Sequence, residues 1–111
     1  MLTPPRPGAR AGIHIRTIED VPAAIRDAWA DFVEQGLVAN ADPYGYTAVY
    51  WLVRHFSAYA KTRGIDRVTN AEYDALFEWS GFEITLEPNR QARAFQGIYI
   101  DPDWRFADLG I

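Results

Sequence analysis

The chain has 111 residues, 49% hydrophobic and 14% aromatic, enough for one domain to bury a core without cross-links. It contains no cysteine, which excludes a disulfide framework, a thiol nucleophile and any Cys-ligated zinc or iron–sulfur site. A formal net charge of −4 argues against broad attraction to nucleic acid or anionic lipid, and no stretch approaches the roughly 20 apolar residues of a membrane span.

Residues 1–12 hold three prolines, two glycines, two arginines and no acid, a composition that reads as a flexible arm ahead of a single domain at 13–111. Within or just past this arm, Arg6, Arg10 and Arg16 could reach an acidic partner. The arm lacks the apolar core of a secretion signal, so a cytoplasmic protein is expected. Ile13–Thr17 alternates apolar and polar and predicts a short strand. Asp20 is placed to cap a first helix that accepts Pro22 in its opening turn. Val21, Ile25, Trp29, Phe32 and Val33 give that helix its buried stripe. Gly36 is expected to stop it, with Leu37 covering the end.

A second helix, central and nearly all-round apolar, is expected from Asp42 to Gly64. Asp42 suits its N-cap, Pro43 its first position, and Lys61, Arg63 and Gly64 its C-terminal end. Val49, Leu52, Val53, Phe56 and Ala60 form its buried face, and Tyr50, Trp51, His55, Ala58 and Tyr59 widen the belt. Thr69-Asn70-Ala71-Glu72 is a capping box that opens a third helix over Asn70–Ser80. That helix buries Tyr73, Leu76 and Phe77, carries Trp79 at its edge and stops at Gly81.

Phe82–Glu87 alternates strictly and predicts a strand; Pro88–Gln91 turns, and Ala94–Ile100 returns. This pairing sets Ile84 opposite Phe95. Ile98 and Ile100 then fall on the wrong face, which predicts a bulge at Gln96–Gly97. The tail after Asp101-Pro102-Asp103 is expected to bury Trp104, Phe106 and Leu109. The fold class is therefore α+β: a three-helix core, a C-terminal β-hairpin, and the N-terminal strand joining a small antiparallel sheet. Three helices followed by a hairpin resemble a winged-helix domain in element order, and that resemblance implies nucleic-acid binding through the third helix.

The charges oppose that implication. Glu72, Asp74, Glu78, Glu83 and Glu87 lie on the third helix and the next strand, with no Lys or Arg between Val68 and Asn89. Carboxylates facing a polyanion have the wrong sign. The nucleic-acid alternative must instead use Arg54, Lys61, Arg63, Arg67, Arg90 and Arg93. For catalysis, His14 and His55 belong to no motif, and His55 reads as a core or edge histidine hydrogen-bonded to a neighbour. Asp101 and Asp103 read as a strand-ending turn. No catalytic residue, metal or cofactor is indicated. Four Trp and six Tyr exceed what one small core needs, which points to protein–protein contacts. The candidates are Tyr44, Tyr46, Tyr50, Trp51, Tyr59, Trp104 and Phe106, serving a protein partner or a second copy of the chain. The acidic run 72–87 is a further surface for a basic partner. The expected function is a small regulatory, inhibitory or assembly factor.

Overall fold

The computed structural model describes residues 17–39, 44–88 and 91–109. The N-terminal arm, the strand expected at Ile13–Thr17 apart from Thr17 itself, Asp42, Pro43 and Arg90 lie outside the described residues. A 3₁₀ turn, Ile18–Asp20, leads into helix α1, Ala23–Asp31. Asp20 does not cap α1. Its carboxylate reaches back to the Thr17 N–H within its own turn, and the helix starts from extended Pro22, whose carbonyl accepts from Ile25 and Arg26.

At its C-terminal end α1 widens into a π turn, Phe32–Gly36, and passes directly into strand β1, Leu37–Ala39. Gly36 is thus not the left-handed stop expected of it. Its small size serves packing instead: a Cβ there would lie 2.8 Å from Cε3 of Trp104. The chain next forms strand β2, Tyr46–Ala48, and only then helix α2, Val49–Thr62, so the central helix begins well after Asp42. The reason is non-local. Tyr46–Ala48 pairs with Gln96–Ala94, and the Thr47 hydroxyl donates to the Ile98 carbonyl, so a sheet claims a stretch that local propensity gives to the helix. The C-terminal end follows the expected chemistry. Gly64 takes φ +81°, and the Ile65 N–H closes the helix on the Ala60 carbonyl.

Helix α3 spans Asn70–Ser80, opened by the reciprocal Thr69–Glu72 bonds at 3.2 and 2.8 Å. Gly81 at φ +74° and the Phe82 N–H bonded to Phe77 O close it. The hairpin consists of β3, Thr85–Leu86, and β4, Arg93–Gln96. Thr85 opposes Ala94 and Leu86 opposes Arg93, the register that Ile84 opposite Phe95 implied, although the ladder is shorter than Phe82–Glu87. Phe82 leaves the sheet to pack on Trp29 and Phe95.

The returning strand is broken at Gly97, φ +75°. This is a corner where the chain changes sheet, and not a bulge within one. Beyond it β5, Ile98–Ile100, pairs with β1. The sheets are therefore β2-β4-β3 and β1-β5, both antiparallel. The strand that joins the hairpin comes from between α1 and α2. Three helices and small antiparallel sheets make this an α+β fold with winged-helix-like element order. No helix among the described residues is long and apolar enough to cross a membrane.

The core is an aromatic network centred on Trp29, which is fully buried. Its indole meets Phe56 edge-on at 5.0 Å, Phe77 at 5.8 Å and Phe82 at 6.2 Å, tying α1 to α2, α3 and the approach to the hairpin. The tail folds back onto this network. Trp104 packs on Phe32 and Tyr59, and Phe106 packs on Trp104 and Tyr59. Leu109 is left at the surface.

Two expectations test this packing. Gly36→Ala drives a methyl into Trp104 and should cost about 1–3 kcal/mol in chemical denaturation, whereas Trp104→Ala alone should cost about 3–5 kcal/mol. The double variant should lose less than the sum, because the ring that clashes is gone. The second concerns Tyr73, whose hydroxyl donates to Val53 O at 3.2 Å and lies 2.5 Å from Ser57 Oγ. Burial pushes the phenol up to about 12, while the Ser57 hydrogen bond acts the other way. The fold thus favours the neutral phenol. Its contribution is complete below the unfolded value near 10 and disappears as pH rises through about 12, a loss of about 2–3 kcal/mol. Urea unfolding at about pH 9 and about pH 11.5 should show this extra alkaline loss in the native chain and not in Tyr73→Phe.

Candidate functional site

Helix α3 turns Tyr73, Leu76 and Phe77 inward, and the 3.6-residue period therefore turns Asp74 and Glu78 to solvent. Trp79 falls at the margin of these two faces and is 49% exposed. Its place relative to α1 is set one residue on, where Ser80 Oγ accepts the indole N–H of buried Trp29 at 2.6 Å. That bond holds the C-terminal end of α3 against α1 and leaves the Trp79 indole between two hollows. One, of about 360 Å³, is bounded by Thr17, Ile18 and Glu19 opposite Ala75 and Glu78. The other, of about 280 Å³, lies against Ala30, Val33 and Glu34 of α1. A third hollow of about 360 Å³ lies beyond Glu78, where Phe82, Glu83 and Ile84 leave the helix.

The rim of this face is acidic. Glu19, Glu34, Asp74, Glu78 and Glu83 are all exposed. A hydrogen bond from the Thr17 side chain is the main cause holding the Glu19 carboxyl below its usual range, helped by a backbone N–H and by the charge of Arg26. Half-buried Arg26 is the cation seen to act on this rim. Its Nε is buried without a hydrogen-bond partner among the described residues. Glu72 does not belong to the rim, because it is buried and occupied in the capping box. Half-buried Glu87 has an interaction of its own.

The aromatic side chains singled out from the sequence do not form one surface. Tyr44 and Tyr50 are exposed around the start of α2, and Tyr46 is half-buried in β2 opposite Gln96. Trp51 is half-buried, edge-on to His55 at 5.1 Å with the Arg54 guanidinium over its ring. Tyr59 and Trp104 face the core, and Phe106 is half-buried against both, so these three hold the tail down. Burial withdraws Tyr59 and Trp104 from any contact surface on this fold.

The basic set is also dispersed in role. Arg63 pairs with Asp31 across α1 and α2, and that carboxylate, then the Tyr59 hydroxyl, raises its pKa. Lys61, Arg67 and Arg93 are exposed. His55 is buried, with Nε2 bonded to the Ala107 carbonyl and Nδ1 unpartnered among the described residues. Nε2–H is therefore the donor, and the ring anchors the tail to α2. The Asp103 N–H bonds to Asp101 Oδ1, an Asx turn that ends β5. No group of three His, Cys, Asp or Glu side chains that could hold a metal ion occurs among the described residues.

The face thus combines a half-exposed indole, hollows on two sides of it, and a carboxylate rim. The sequence signals were the carboxylate run and Trp79 at a helix edge. What local pattern could not supply was the approach of the Glu19 turn and of Glu34 to either side of the same indole. No known protein family, curated protein or solved structure matches the chain.

If Trp79 serves contact and Trp29 serves the fold, their truncations must differ. Trp29→Ala should cost about 3–5 kcal/mol or prevent folding, whereas Trp79→Ala should cost about 1–2 kcal/mol and leave the far-UV circular dichroism intact.

Proposed function

We propose that this chain is a small non-catalytic interaction protein, a regulatory, inhibitory or assembly factor that works through protein–protein contacts. The observation that carries this reading is Trp79, a large aromatic left half-exposed between two hollows at the junction of α1 and α3. Tryptophan in a partly formed pocket gives much contact area for little lost side-chain freedom, the profile of a binding hot spot. The exposed tyrosines at the start of α2 offer a second apolar surface to the same or another partner.

The winged-helix-like order would direct α3 toward a DNA groove, and the charges speak against that use. Asp74 and Glu78 occupy its outer face, and among the described residues the exposed cations lie on α2, the loop after it, β4 and, at Arg105, the C-terminal tail. Phosphate contacts made from Arg54, Lys61, Arg67 and Arg93 would leave the acidic rim in repulsion with the same polyanion.

Fluorescence anisotropy with labelled mixed-sequence DNA and RNA at low salt is the direct check. No saturable binding is expected. Binding that falls steeply with salt and is lost on replacing Arg54, Lys61, Arg67 and Arg93 by Ala would overturn the reading.

A further inference from the structure

We infer that the face around Trp79 takes a basic protein segment, with an arginine guanidinium of the partner seated over the exposed side of the indole and flanking cations on the carboxylate rim. This rests on the interaction reading above and deepens it by naming the partner's chemistry. Three features of the face converge. The Trp79 indole is about half exposed and borders both hollows, and the face of an indole attracts a cation. Carboxylates stand on both sides of it, Glu19 and Glu78 on the hollow toward the 3₁₀ turn and Glu34 on the hollow toward α1. From Val68 to Pro88 no Lys or Arg interrupts that field, and among the described residues the cation seen to act on Glu19, Arg26, is half-buried.

An acidic or neutral segment would find the apolar hollows but meet repulsion or unpaired carboxylates at the rim. A basic segment satisfies both parts. Arginine fits better than lysine, because its planar guanidinium stacks on a ring while still bonding a carboxylate edge-on.

The test uses the full chain and a fluorescein-labelled oligoarginine peptide, with oligolysine and a glycine–serine peptide as comparators. Oligoarginine should bind, weaken with salt and exceed oligolysine, while the glycine–serine peptide stays free. Trp79→Ala should weaken oligoarginine about tenfold. The pair Glu34→Gln and Glu78→Gln should weaken it several-fold and flatten the salt dependence. The pair Asp66→Asn and Asp108→Asn, which removes equal charge elsewhere, should change nothing. Circular dichroism of each variant separates lost binding from lost folding.

Equal loss in the two paired variants, or none in Trp79→Ala, would mean diffuse attraction and overturn the proposal. Tighter binding after replacing Arg6, Arg10 and Arg16 by Gln would make the chain's own basic residues the occupant and overturn it too. A salt-insensitive dimer that Trp79→Ala dissociates would make the occupant a second copy, which equally overturns it. Failure to bind oligoarginine while oligonucleotides are also ignored would remove the partner's chemistry and leave the interaction reading standing. Oligonucleotide binding would remove both.

Discussion

The burial of Trp29 is the constraint from which the rest follows. One side chain of α1 meets rings from α2, α3 and the approach to the hairpin, and satisfies its only polar atom on Ser80. A buried indole N–H without an acceptor would cost about 1–3 kcal/mol, so the Ser80 bond fixes the approach of the two helices as well as stabilising it. With that approach set, the residue before Ser80 must lie at the α1–α3 seam. Trp79 is therefore at the surface because Trp29 is in the core.

The second consequence concerns the tail. Trp104 lies on Gly36 so closely that no side chain fits between them, and Phe106 and the His55–Ala107 bond continue the contact along α2. The aromatic excess in the composition is thus divided. Most of the rings build a core that spans three helices and reaches the C-terminal segment. A few, Tyr44, Tyr50 and Trp79, are exposed. Among these, Trp79 combines exposure with hollows on two sides and a predominantly acidic rim.

Helix α3 was legible from sequence because every local signal agrees: a reciprocal cap, an apolar period and a left-handed glycine. The C-terminal end of α2 was legible for the same reason. Where a non-local partner decides, local pattern fails. Tyr46–Ala48 looks helical until β4 is available to pair with it, and Ile98–Ile100 looks like one strand with Arg93–Gln96 until β1 draws it into another sheet. The hairpin register was readable; its length was not, because Phe82 packs on Trp29 and Phe95 instead of extending the ladder. For the candidate face, Asp74 and Glu78 could be read from helical period. Glu19 and Glu34 could not, since non-local packing, with the Trp29–Ser80 bond and the Trp29–Phe77 contact part of it, brings their elements alongside Trp79.

The most direct measurement is a ¹H–¹⁵N correlation spectrum of the labelled protein during titration with oligoarginine, following backbone amides and the four indole N–H signals together. The expected result is a contiguous shift of the Trp79 indole and of amides at 17–20, 30–34 and 74–84, with the Trp51 and Trp104 indoles unmoved. Shifts centred instead on Tyr44–Arg54, or spread evenly over every exposed acid, would contradict the assignment of this face as the contact surface.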